Sequence, residues 1–255
     1  MFKLSNVEFN LEGRALLAPL SMEFLPGKVY GLIGHNGSGK STLLKLLARQ
    51  ETPSMGSILF LDREIKDYKA KEFARSVAYL PQYLPVQTFL TASELVAMGR
   101  FAWQGLFSRS SDEDKKIVAE SLKLTNTEKF AHSLVDNLSG GERSRVWLAM
   151  LLAQKTQFIL LDEPLAALDV AHQVEVMKLL KDLSVKLGIG IIIVIHDINL
   201  AARFCDKLVA LHTGKVIFEG DAQQLMQEEV LKDIYNIDLT VIDHPHEAGV
   251  KVSFY

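Results

Sequence analysis

Over the first 33 residues, short apolar stretches alternate with polar or Gly/Pro turns. "FKLSNVEF", "LSMEF" and "KVYGLIG" predict three short strands. From Lys40 the period changes, and the leucines of "STLLKLLARQ" recur at helical spacing. Two further short strands are expected at "GSILFL" and "SVAYLPQ". Residues 88–137 read mostly as helix, as in "TASELVAMGR" and "DEDKKIVAESLKL". After "LSGGE" the pattern predicts a helix, the apolar run "FILLDE", the helix "AHQVEVMKLLKDLSVKLG" and the apolar run "GIIIVIH". Strands that are apolar without alternation, separated by helices, belong in a parallel sheet covered on both faces. From about residue 206, "KLVALHTGKVIFEG" returns to strands, and a helix around 222–235 and a small β-like end follow. The expected organisation is an α/β core over 1–87 and 138–220, a helical subdomain inserted over 88–137, and a C-terminal extension over 221–255.

The chain has 255 residues, 48% of them hydrophobic, enough for a substantial core. Its 28 Lys and Arg against 31 Asp and Glu leave a net charge of -3, which implies no general affinity for nucleic acid or anionic lipid. Cys205 is the only cysteine, so no intrachain disulfide forms; in "AARFCDKLV" it reads as a small buried hydrophobe. The start, "MFKLSNVEFN", lacks the basic and apolar regions of a secretory signal. The run "IIIVI" is too short to cross a bilayer and stops at His196 and Asp197. The expectation is a soluble chain in a reducing compartment, with any membrane role reached through a partner.

The stretch "GHNGSGKS" fits the phosphate-loop pattern G-x-x-x-x-G-K-[ST] without a mismatch and lies between an apolar strand and a helix. Glycines 34, 37 and 39 let the backbone curl so that its N–H groups face phosphate oxygens, and the helix dipole adds to the attraction. The expected nucleotide contacts are Gly34, His35, Asn36, Gly37, Ser38, Gly39, Lys40, Ser41 and Thr42. Lys40 would bridge the β- and γ-phosphates, and the Ser41 hydroxyl would sit on Mg²⁺. "FILLDE" brings Asp162 to a strand end, to hold the metal directly or through water, and Glu163 next to it, to orient and deprotonate an attacking water. Gln82, after the strand of "YLPQ", could reach the metal or the water; read alone it fits a surface glutamine as well. His196 could donate to the γ-phosphate, although a histidine at a strand end is commonly a satisfied core residue.

A second glycine pair stands before a helix in "LSGGE", where Ser139, Gly140, Gly141 and Glu142 would form an N-terminal anion site. One chain's nucleotide is already surrounded by the first loop. The expected recipient is the γ-phosphate of a nucleotide held by a second copy, in a symmetric head-to-tail pair.

These elements, in this order and spacing, resemble the ATP-binding cassette (ABC) ATPases over essentially the whole chain. The combination of "GHNGSGKST", "LSGGE", "LLDEP" and "IHD" is highly specific. The resemblance implies a P-loop α/β core with a mostly parallel sheet, an N-terminal antiparallel β part and an inserted helical subdomain. It matches Gln82 to the family's metal-sensing glutamine, His196 to its switch histidine, and Asp169 in "ALD" to the loop that couples two ATP sites. Its catalytic set is then Glu163, His196, Gln82 and Lys40, its metal set Ser41, Gln82 and Asp162, and its cofactors ATP and Mg²⁺.

Within the family the chain is most similar to the ATPase subunits of bacterial ferric-siderophore importers, especially those for iron(III)-hydroxamates such as ferrichrome. "FARSVAYLPQ", "LVDNLSGGER", "DVAHQVEVM", "HDINLAARFCDKLVAL" and "LKDIYNID…HPH" carry that likeness. It implies a homodimer on the cytoplasmic face of the inner membrane, under a permease fed by a periplasmic binding protein. Residues near 82–105 would meet the permease, with Phe101 and Trp103 either at that contact or in plain core packing. Another chelate, such as haem or cobalamin, is the alternative cargo. A non-transport ATPase acting on nucleic acid or ribosomes is the less favoured class, since the chain has one phosphate loop and no long heptad run. Three positions depart from the family pattern: Leu11 where many relatives stack an aromatic on adenine, Leu165 and Ala166 in place of Thr and Ser, and Ser144 in place of Gln. The "HPHE" stretch, 244–247, reads as a solvated loop or, less readily, as metal ligands.

Overall fold

The computed structural model describes residues 1–83, 89–104, 110–247 and 249–254. Strands β1 (Phe2–Leu11) and β2 (Arg14–Phe24) form a hairpin closed at Glu12 and Gly13, both with positive φ. That turn matches the right-handed twist of the strands it joins. β2 therefore begins well before the "LSMEF" segment that its sequence pattern marks. β3 (Val29–Ile33) leads through the phosphate loop into α1 (Lys40–Leu47), and β4 (Met55–Phe60) and β5 (Arg63–Glu64) form a second hairpin. α2 (Ala70–Ala74) and β6 (Val77–Leu80) precede the helical stretch, α3 (Ala92–Met98) and α4 (Asp112–Leu124). The chain continues through α5 (Gly140–Ala153), β7 (Phe158–Leu161), α6 (Val170–Leu187), β8 (Gly190–Val194) and α7 (Ile198–Phe204). It closes with β9 (Lys207–His212), β10 (Lys215–Gly220), α8 (Ala222–Leu225), α9 (Glu228–Tyr235), β11 (Thr240–Asp243) and β12 (Lys251–Phe254). The single helix expected over 222–235 is two helices, because Met226 leaves helical geometry at ψ 61°.

The main sheet has six strands in the order β10-β9-β3-β8-β7-β6, parallel except for β10 at one edge. A four-stranded antiparallel sheet, β2-β1-β4-β5, covers one face together with α1. Along β8, Ile191 and Ile193 enter one apolar core while Ile192 and Val194 enter the other. β7 does the same with Ile159 and Leu161 against Phe158 and Leu160. Both faces of these strands are dry, which is why their sequences are apolar without alternation.

On the far face lie α3, α4 and α5, with α3 and α4 both packed against α5. Arg100 ties them together: its Nε donates to Asp114 at 2.8 Å and its Nη1 to the Ala153 carbonyl at 2.8 Å, with both charged side chains largely covered. Phe101 stands outward at 73% exposure, whereas Trp103 is partly packed, its Nε1 donating to the Gln154 carbonyl. Residues 84–88 and 105, within the segment expected to face a permease, lie outside the described residues. The C-terminal hairpin β11–β12 is held to α7 by Asn199, which exchanges hydrogen bonds with the Ser253 backbone.

Candidate active site

β3 is a central strand, and the chain leaving its carboxyl end turns sharply at Gly34, where φ is 128°. A Cβ there would lie 2.2 Å from the Leu211 carbonyl oxygen, so the turn admits only glycine. Gly39 is held to glycine mainly by its φ of 105°, with the Leu16 carbonyl oxygen 3.0 Å from where a Cβ would stand, and it opens α1. Lys40 is buried inside the curl, its Nζ donating to the Gly34 and His35 carbonyls at 2.8 Å each. Burial lowers its pKa, opposed by the charges of Glu163 and Asp162. His35 donates from Nδ1 to the Asn36 carbonyl at 2.7 Å, and its ring meets that of His212 edge to face. Ser38 is buried, while Asn36 and Gly37 are exposed at the loop's crest.

β6, β7 and β8 are neighbours, so their carboxyl ends deliver Gln82, Asp162 with Glu163, and His196 to one crevice beside the loop. Asp162 is buried and accepts a 2.8 Å hydrogen bond from the Ser41 hydroxyl, 121 residues away in the chain. Burial raises its pKa, with the Ser41 bond pulling the other way. Glu163 sits at φ 51°, in the left-handed region, and its carboxylate is bridged. Gln82 Nε2 donates to Oε2 at 2.7 Å, and His196 Nε2 lies 3.0 Å from Oε1. Tyr79 was not marked by the sequence pattern; burial and the adjoining Asp162 push its hydroxyl up to about 12.

The second glycine loop forms a separate group. Ser139 caps α5 in a closed box: its Oγ accepts from the Glu142 amide, and Glu142 Oε2 accepts from the Ser139 amide at 3.0 Å and hydroxyl at 2.8 Å. These bonds hold the Glu142 carboxyl below its ordinary range. Asp169 caps α6, and its carboxylate also meets the His172 ring. Among the described residues, no hydrogen bond joins 139–142 to Gly34–Thr42. Thus Gly34–Thr42, Gln82, Asp162, Glu163 and His196 come together, while among the described residues no hydrogen bond links Ser139–Glu142 or Asp169 to them, although Gly140 lines a cavity shared with Gln82 and Glu163.

Of the departures, Leu11 stands 51% exposed at the end of β1, and Leu165 is buried. Ser144 Oγ donates to the Pro164 carbonyl at 3.4 Å, linking α5 to the loop after Glu163; that contact had no signal in the sequence. In the tail, the His244 and His246 rings meet edge to face at 6.2 Å while Glu247 pairs with Arg203, and among the described residues no three such side chains are grouped to hold a metal. Cys205 is buried, and its thiol is pushed up to about 12, leaving no reactive thiolate.

Residues 17–166 match the family described as ABC transporter. The iron(3+)-hydroxamate import ATP-binding protein FhuC of Bacillus subtilis is 41% identical over 232 residues, covering 91% of this chain and 86% of the relative. The ferric enterobactin transport ATP-binding protein FepC of Escherichia coli is 39% identical over 89% of this chain and 83% of its own. The hemin import ATP-binding protein HmuV of Rhodococcus jostii is 39% identical over 91% of this chain and 79% of its own. Among solved structures, an ABC transporter described as of the metal-chelate type, in an inward-facing conformation, superposes with a TM-score of 0.86 at 25% identity, covering 100% of this chain and 97% of that one. A dimeric ATP-binding cassette bound to ADP and phosphate superposes at 0.75 with 30% identity, over 87% of this chain and 99% of that one.

Proposed function

The chain belongs to the ABC transporter family, and on that premise we propose that it is the ATP-hydrolysing subunit of an importer for ferric siderophores. The carrying observation is the bridged Glu163 carboxylate, held by Gln82 and His196 at the ends of adjacent strands beside the phosphate loop. A carboxylate so oriented accepts the proton of a water attacking the γ-phosphate; His196, on exchanging its bond to Glu163 for the phosphate, would donate to a phosphoryl oxygen, and Lys40 would neutralise charge between the β- and γ-phosphates. Ser41 and Asp162, already 2.8 Å apart, offer hard oxygen donors with a buried carboxylate in want of a counter-charge, which suits Mg²⁺. Bound there with Gln82 as a further ligand, the ion would neutralise charge developing on the phosphate oxygens.

The separation of the two glycine loops favours a head-to-tail dimer, each chain lending Ser139–Glu142 and Asp169 to the other's nucleotide. The relatives' names favour a membrane permease as partner. Among the described residues no helix is long and apolar enough to cross a membrane. The proposed position is therefore peripheral, under the permease at the cytoplasmic face, with exposed Phe101 turned towards it. An iron(III)-hydroxamate is the preferred cargo, on the 41% identity to the hydroxamate relative against 39% for those of enterobactin and hemin.

Glu163→Gln should cut ATP hydrolysis by about 100-fold or more while ATP binding persists. Steady-state phosphate release beside nucleotide titration reads both; hydrolysis at the parent's rate would remove Glu163 as the base. For the cargo, a strain deleted for the gene should lose growth on hydroxamate-bound iron, and normal growth on every hydroxamate would redirect the assignment.

A further inference from the structure

Two groups assigned to the partner's nucleotide, the glycine tip of α5 and Asp169 at the start of α6, lie on different elements. We propose that His172 is a positioning residue that locks them into one unit, so that both reach the partner's ATP together. The proposal rests on the dimer reading above and adds to it a residue which that reading does not use.

The geometry is specific. Asp169 Oδ1 accepts from the His172 backbone amide at 3.0 Å and lies 2.8 Å from the same residue's Nδ1. A carboxylate only accepts, so Nδ1 carries the proton and the ring is oriented by that bond. The other edge of the ring lies over Gly141: a Cβ on Gly141 would stand 2.4 Å from Cδ2 and 3.0 Å from Nε2. The second glycine of "GG" thus makes room for this imidazole, whatever it also does for a phosphate. The loop between the two groups is clamped from both sides. Gln173 Nε2 donates to the Leu165 and Leu168 carbonyls at 3.2 and 3.1 Å, and Ser144 of α5 reaches the Pro164 carbonyl. A Cβ on Gly140 would touch the Ala167 carbonyl oxygen at 3.5 Å. With the loop backbone held, the remaining freedom lies in the Asp169 side chain and in the spacing of the α5 tip from it. His172 removes both, by a hydrogen bond on one edge and van der Waals contact on the other.

The test uses the Glu163→Gln chain, in which slowed hydrolysis should let ATP-bound dimers accumulate, and measures two quantities. Fluorescent-nucleotide titration reads binding to the chain's own phosphate loop, and analytical ultracentrifugation with ATP reads the dimer. His172→Ala should leave nucleotide affinity within about twofold and weaken the dimer by about tenfold, the scale of one lost charge-assisted hydrogen bond. His172→Asn, whose amide can donate to Asp169, should recover part of the loss. His172→Phe, which keeps a ring against Gly141 without a donor, should recover less than Asn. Unchanged dimerisation in His172→Ala overturns the inference, and so does an equal fall in nucleotide affinity, which would place the effect in the chain's own site. Recovery by Phe but not Asn overturns the hydrogen-bonded part. Failure of the Glu163→Gln parent itself to dimerise with ATP is a separate result, and it removes the dimer reading before His172 is considered.

Discussion

The burial of Asp162 costs the fold stability. Burial raises its carboxyl pKa above the ordinary 3.8, so the folded chain holds that proton more tightly than the unfolded chain. Stability then falls as pH rises from about 3.8 through the raised folded value, because the unfolded state loses the proton first. Asp162→Asn keeps an oxygen for the Ser41 hydroxyl and removes the charge. The variant should melt above the parent at pH 7, with the gap closing as pH falls to 3.8, while Mg²⁺-dependent hydrolysis is lost. Thermal melts across that range check it; a parent that melts higher at pH 7 would mean that the ionised carboxylate is stabilising. At this scale the motif residues were legible, because phosphate chemistry prescribes the spacing from Gly34 to Ser41. Tyr79, Ser144 and His172 were not: their roles arise from neighbours distant in sequence or from one ring's orientation.

Elements hold one another through a few polar ties as well as through apolar packing. The Arg100–Asp114 pair joins the end of α3, the start of α4 and the last carbonyls of α5. Asp114→Ala leaves the guanidinium covered without its partner and also opens the Ser111 capping box, and should cost roughly 2–3 kcal/mol. Asp112→Ala, which removes an exposed partner of Lys115, should leave the urea midpoint close to the parent's. Equal midpoints for the two variants would show that the Arg100 tie contributes little. The helices were readable in "TASELVAMGR" and "DEDKKIVAESLKL", whereas the capping boxes that open them, Thr91 with Glu94 and Ser111 with Asp114, came from the structure. The break at Met226 and the early start of β2 were not readable, since no Gly or Pro marks the first and hairpin pairing with β1 extends the second.

For the whole molecule, a divided reaction centre predicts that activity depends on encounter. In dilute solution without a permease, specific ATPase activity should rise with protein concentration and level off as dimers form. An inactive Lys40→Ala chain mixed with an inactive Ser139 and Gly141 variant should restore activity, since one complete composite site remains. Activity strictly proportional to dose, with no complementation, would mean that a monomer suffices.

The amino-acid order alone determined the phosphate loop, the strand-end acids and the doubly buried character of the central strands, because each is written in contiguous residues whose spacing follows backbone geometry. Tertiary structure alone decided that Ser41 meets Asp162, that Gln82 and His196 grip one carboxylate, and that an imidazole fills the space over Gly141. Those contacts depend on which strands become neighbours in the sheet and on the approach of α5 to α6, and neither is encoded by a local period of hydrophobic and polar positions.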